Sequence, residues 1–232
     1  MNLNLLKRLS VVCVMLVVSA SAFGQQKFDN FSAQAALVSE FEVNGLKVIL
    51  KRRPNSPTVA GGLFIRGGAR NINEKNAGIE RLMLASAIEA GKNLPRQTVR
   101  RELSGSGSVI ISGASSDYSV VSIASTRQDF ARSFEIFSEV LLNPAFTEDA
   151  VKRNREQILA GLREAGSVPE SPLDTLQDRV IYAGHPYAND VNGTPSTISS
   201  LTANDLRGYH KNVMETSRLL FVFVGDLDQE QL

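Results

Sequence analysis

Cysteine, tryptophan and histidine are nearly missing from this sequence. Its 232 residues include one cysteine (Cys13), no tryptophan, and two histidines, His185 and His210. Cys13 lies in an N-terminal segment that reads as removable. Without it, disulfides, thiolate ligands and thiol catalysis are all excluded. The lack of tryptophan, with only 4 tyrosines, argues against an aromatic platform for stacking bases. Neither charge sign dominates: 25 basic residues face 24 acidic ones. That balance gives no electrostatic case for nucleic acid or for an anionic membrane surface.

The scarcity of histidine matters most. The two are far apart in sequence, so no pair stands at i, i+4 on one helix face, the spacing that aims two imidazoles at one zinc ion. Two separate histidines with scattered carboxylates could still meet in space. The simpler expectation is a loop hydrogen bond for His185, before Pro186, and a helix-closing role for His210. Other chemistries also lack their patterns. No serine has glycine at both −2 and +2. There is no Walker loop, and Gly105-x-Gly107 lacks the third glycine of a dinucleotide fingerprint. Glu102 and Glu164 stand among Arg100, Arg101 and Arg163, as solvated ion-pair partners do.

What is present begins with a basic pair, Lys7-Arg8, an apolar run Leu9–Val18, and small residues ending Ala22-Phe23-Gly24. This pattern is a secretory signal peptide over residues 1–24. The run is too short to span a membrane, so a soluble, secreted or periplasmic chain without stable membrane insertion is expected. Residues 25–39 read as a mobile lead-in. With 43% apolar residues, the rest can hold a core without crosslinks.

The spacing predicts short strands at Glu40–Val43 and Leu46–Lys51 around the hairpin turn Asn44-Gly45. Further strands are expected at Thr58–Arg66, Val109–Ser112, Tyr118–Ser125 and Arg218–Val224. Gly61-Gly62 within the third suggests a bulge or a close backbone approach. Helices are expected at Ala77–Gly91, Arg96–Leu103, Gln128–Leu142, from Thr147 to about Ala165, Ser171–Tyr182 and Thr202–Asn212. Paired strands and runs of helices predict an α+β fold with a largely antiparallel sheet packed by helices. The lobe is expected over 40–228, with 229–232 as the start of a possible further segment.

Several stretches resemble one family in order and spacing. They are Asn44–Val48, Gly62–Gly68 with Arg70, Ala77-Gly78-Ile79, Leu141–Phe146, His185-Pro186-Tyr187 with Gly193-Thr194, Tyr209-His210, and Phe223–Asp226. Together they resemble the first α/β lobe of the M16 metallopeptidases, the insulinase, pitrilysin and mitochondrial processing peptidase-like group. The resemblance implies a zinc site of the form H-x-x-E-H on the central helix plus a distant Glu. On the Ala77-Gly78 register those positions are Arg81, Leu84 and Ala85, and the distant Glu falls at Ala160 or Gly161, with Ala160 taken here. Ligands and general base are therefore all replaced.

The resemblance thus implies an M16-like lobe inactive by itself, with no cofactor of its own and zinc only in a partner. Its implied role is to pair with a catalytically active M16-like subunit and position an extended peptide. The implied peptide-binding strand is Val109, Ile110, Ile111, Ser112, Gly113 and Ala114. Two alternatives stay open: a stand-alone interaction or scaffold protein of this fold, and an active metallopeptidase with unrecognised ligands.

Overall fold

The computed structural model describes residues 32–168 and 170–232, so the signal-peptide expectation for 1–24 lies outside the described residues. Residues 40–232 form one compact unit, which carries nearly all of the described secondary structure. Among the described residues no helix is long and apolar enough to cross a membrane.

Two strands open the fold, β1 (Val38–Val43) and β2 (Leu46–Arg52). Asn44 and Gly45 between them both have positive φ, 50° and 81°. This is the turn conformation that favours Asn-Gly in two-residue hairpins. Next come β3 (Thr58–Arg66), helices α1 (Ile79–Ala87) and α2 (Arg96–Gly105), then β4 (Val109–Ala114) and β5 (Tyr118–Thr126). Five helices follow: α3 (Phe130–Leu142), α4 (Glu148–Gly166), α5 (Glu170–Ile181), α6 (Pro195–Ser200) and α7 (Ala203–Val213). Strand β6 (Leu219–Gly225) comes last.

The sheet order is β1-β2-β6-β3-β5-β4. The last strand of the chain is thus inserted between the second and third. It runs parallel to β2 and antiparallel to β3, so the sheet is largely antiparallel, as the α+β reading expects. Gly61 explains the glycine pair in β3. Its register with β5 runs on without a bulge, and a Cβ there would stand 2.5 Å from the Phe223 ring of its β6 partner. The glycine permits a close approach.

Local caps agree with the core pattern. The Thr147 side chain accepts from the Ala150 N–H at the start of α4. Thr202 and Asp205 form a reciprocal capping box on α7, satisfying donors the helix leaves open. Asp226, buried just after β6, accepts from the Asn55 N–H (3.0 Å) and pairs with Arg127 (2.9 Å). It ties the loop after β2 to the end of the sheet. A group of serines satisfies itself: Ser108 Oγ lies 2.9 Å from Ser106 Oγ, 2.9 Å from Ser125 Oγ and 2.8 Å from Ser133 Oγ. Such a ring of hydroxyls satisfies its own buried atoms.

Helix α1 sits at the centre of the core. Leu82 and Met83 are wholly inaccessible and Leu84 nearly so. The helix packs against α7, α4 and β4. It starts later and stops earlier than the periodicity predicts. Gly78 precedes it in the left-handed conformation (φ 84°), and a Cβ there would lie 2.5 Å from Ile198 Cδ1 and 2.8 Å from Gly193 Cα. Gly78 therefore lets the loop after the Pro186–Ala188 turn close over the helix start.

Candidate functional site

Arg81 and Ala85 are one turn apart on α1, with Leu84 beside them, so helical geometry sends all three toward one side. That side faces β4 and α4. The three line a cavity of about 200 Å3 together with Ser112, Gly113 and Ala114 from β4 and Asn154, Gln157 and Ile158 from α4. Residues far apart in sequence thus converge where the sequence reading places the lost zinc site. Half of the expected peptide strand, Ser112–Ala114, lies on its wall. Ile110 packs into the core, while Val109 and Ile111 line a shallow apolar area on the sheet with Phe64 and Val222.

The third site position needs correction. Ala160 is exposed and does not line the cavity. At about 100° per residue, it points roughly 110° away from the mean direction of Asn154, Gln157 and Ile158. Gly161 points within roughly 15° of that direction, one turn further on. A Cβ at Gly161 would meet nothing within 4 Å. Gly161 is exposed like Ala160, but side chains on a helix lean back toward its N-terminus, so a long side chain at 161 is aimed along the cavity side and one at 160 away from it. The lining residues Asn154 and Gln157 escaped the sequence reading. Their only signal was the i, i+3 spacing on an apolar face of α4.

This lining does not suit zinc, which needs three protein ligands from imidazole, thiolate or carboxylate. The cavity offers a guanidinium, two amides, a hydroxyl and aliphatic groups. Among the described residues no three His, Cys, Asp or Glu side chains gather at any one point. The histidines are used elsewhere. His185 Nδ1 accepts from the Tyr187 N–H and caps the short turn Pro186–Ala188. His210 Nε2 lies 2.7 Å from the Leu141 carbonyl, its ring at the edge of Phe146. Burial pushes the His210 imidazole below its ordinary value, only partly opposed by that hydrogen bond. The shift favours the neutral ring over a helix-closing cation.

Electrostatics around the cavity are one-sided. Arg81 Nη1 donates to Asn192 Oδ1 (2.9 Å), and among the described residues no carboxylate pairs with it. Glu89, about two turns along from Arg81, is already shared by Arg96 (2.7 Å), Arg153 (2.6 Å) and Asn154 Nδ2 (3.1 Å).

Strand β4 is one of the two outer strands of the sheet, opposite β1. The Ser115 N–H donates to the Tyr118 carbonyl at 2.9 Å, making 115:118 a hydrogen-bonded pair. In an antiparallel ladder such pairs alternate. With the β4–β5 register of Ala114 against Ser119, the pairs at Gly113, Ile111 and Val109 are bonded to β5. The N–H and C=O of Ile110, Ser112 and Ala114 therefore point outward, two of these three residues at the cavity wall.

A family model described as "Insulinase (Peptidase family M16)" matches residues 47–194. The chain belongs to this family. The M16 chain is 24% identical over 189 residues to mitochondrial-processing peptidase subunit beta of Saccharomyces cerevisiae, covering 82% of this chain and 41% of that one. It is 23% identical over 189 residues to cytochrome b-c1 complex subunit 1, mitochondrial, of Bos taurus, covering 82% and 39%. It therefore spans about two fifths of the length of these relatives.

Its fold is that of M16 domains of known structure. The inactive domain of a peptidase M16 from Pseudomonas fluorescens superposes with a TM-score of 0.77 at 23% identity, covering 83% of this chain and 47% of that one. The periplasmic protease PqqL from Escherichia coli superposes with a TM-score of 0.75 at 18% identity, covering 84% and 22%.

Proposed function

We propose that this chain is a non-catalytic M16 lobe. It holds an extended peptide along the free edge of β4 and positions it for a zinc-bearing M16-like partner. One observation carries the reading: the cavity between α1, β4 and α4 adjoins an open strand edge, yet its lining has neither imidazole nor carboxylate. An open edge offers backbone donors and acceptors to an added strand. A cavity without a base or ligands has no means of activating water.

The relatives support the division of labour. Two bear the names of subunits of larger assemblies, and one structural neighbour is an inactive M16 domain. Positioning by such a subunit lowers a partner's barrier by pre-organising the substrate. The chain needs no cofactor of its own, and any zinc belongs to the partner. The pattern around Lys7-Arg8 and Ala22-Phe23-Gly24 adds export, with assembly in the periplasm or outside the cell.

The test is peptide hydrolysis by the zinc-bearing partner alone and with this chain added, beside sedimentation of the mixture. The expected result is a complex with raised activity. A partner fully active alone, with no complex at micromolar concentration, overturns the subunit reading and leaves the scaffold alternative.

A further inference from the structure

The position that would hold the first metal ligand carries a fixed cation, Arg81. It lines the cavity, is half-buried, and donates only to the neutral Asn192. A guanidinium carries five N–H donors, so a single bond to an amide leaves others for a ligand or water. The acid that could have served, Glu89, is held by two other arginines and by Asn154. Arg155, also on α4, donates to the carbonyls of Ile198 (3.2 Å) and Leu201 (2.6 Å). The α4 arginines Arg153 and Arg155 are thus engaged by internal contacts, while Arg81 lines the cavity with one guanidinium hydrogen bond, to Asn192.

The second observation is the edge itself. The outward backbone groups of Ser112 and Ala114 border the same cavity. A peptide laid against β4 places alternate side chains on the helix side of the sheet, over the cavity. The side chains of Ile110, Ser112 and Ala114 are half-buried on that helix side, while Val109, Ile111 and Gly113 are exposed. The geometry points to an anion site: Arg81 takes a carboxylate of the bound peptide, either an acidic side chain or the C-terminal carboxylate. A guanidinium binds a carboxylate by two parallel hydrogen bonds, a geometry a lysine or an amide does not reproduce. The neutral Gln157 amide, on the same wall, completes the polar lining. The site therefore selects acidic ligands where a metal site would polarise a carbonyl.

This inference rests on the edge-binding reading, and the experiment separates the two. Fluorescein-labelled extended peptides are titrated into the purified protein and read by anisotropy. Each peptide is compared with its C-terminal amide and with versions carrying Asn or Gln for each Asp or Glu. The Arg81→Gln, Arg81→Glu and Ser112→Pro variants are titrated in parallel, with folding checked by circular dichroism. Proline at 112 removes an outward N–H on an edge strand, where it is tolerated.

The expected result is on the order of tenfold tighter binding of the carboxylate peptide than of its neutral counterpart. Arg81→Gln abolishes that preference and Arg81→Glu reverses it toward lysine-bearing peptides. The amide series identifies the C-terminus as the source, and the Asn and Gln series a side chain. Equal affinity for acidic and neutral peptides, still lost in Ser112→Pro, overturns the anion site and leaves edge binding intact. A preference lost in Arg81→Gln but untouched by Ser112→Pro keeps the anion site and overturns edge binding. No measurable binding of any peptide overturns both.

Discussion

The Tyr209 hydroxyl donates to Glu80 Oε2 at 2.6 Å, joining α7 to the first turn of α1. Glu80 is buried, and its other oxygen, Oε1, has no hydrogen-bond partner. Burial, followed by the Glu80 charge, drives the Tyr209 phenol well above its usual range, so it remains a donor at any ordinary pH.

Tyr209→Phe is expected to cost roughly 1–3 kcal/mol, because it leaves a buried carboxylate unpaired. Glu80→Gln is expected to cost less, since the amide oxygen still accepts from the phenol. Urea melts of both single variants and the double variant measure the coupling. Purely additive effects would show that the pair is not coupled.

His210 predicts a pH dependence. Burial lowers its folded pKa, so the unfolded chain takes up the proton first. The contribution of the neutral ring is complete above the unfolded value near 6.5 and is lost as pH falls toward the folded value. One charge and one hydrogen bond modulate the burial effect: Lys92 disfavours the imidazolium, and the Leu141 carbonyl favours it. Chemical denaturation of the wild type and of His210→Gln between about pH 7.5 and 5 should show the wild type losing stability relative to the variant. Parallel curves would place His210 in an exposed setting.

Gly78→Ala should be among the most damaging single-methyl changes. Its φ of 84° disfavours a side chain, and the added Cβ would lie 2.5 Å from Ile198 Cδ1 and 2.9 Å from the Asn192 carbonyl. Strain of about 1–2 kcal/mol from the backbone adds to about 1–3 kcal/mol of overpacking. At Gly105, where nothing lies within 4 Å of an added Cβ, alanine should be tolerated. Thermal melts of the two variants make the comparison.

Much of this fold was legible locally. The Asn44-Gly45 turn and the helix starts near Thr147 and Thr202 follow from local residue chemistry, although Thr202 proved to be the cap and not the first helical residue. Strand order was not, because the insertion of β6 between β2 and β3 rests on contacts some 170 residues apart, such as Leu50 with Phe223, that no window contains. At the site, Arg81, Leu84 and Ala85 share a cavity because i, i+3 and i+4 fix their common side. Ala160 was misplaced because the rotation of α4 about its axis is set by packing against α1. Glu80 was overlooked although it shares a stripe with Met83, Leu84 and Ala87, a spacing that marks it as buried.

That rotation gives the last prediction. If the cavity is the position of a former zinc site, restoring donors on its walls should restore metal binding, and only the correct face of α4 will serve. Arg81→His with Leu84→Glu and Ala85→His places two imidazoles one turn apart on α1. Adding Gly161→Glu extends a carboxylate toward them, whereas Ala160→Glu points it into solvent. The four-residue variant with Glu at 161 is expected to bind zinc at least about tenfold tighter than the variant with Glu at 160, since losing a direct ligand should cost no less than the roughly tenfold that losing an outer-shell partner costs. Both should lose several kcal/mol of stability in the absence of metal, because polar groups replace the buried Leu84. Zinc titration with a competing chelator, alongside melting with and without zinc, reads affinity and folding together. Tighter binding with Glu at 160 would return the third ligand position to Ala160, equal affinities would show that neither glutamate reaches the metal, and absence of binding in a folded Gly161→Glu variant would remove the cavity from consideration as the ancestral site.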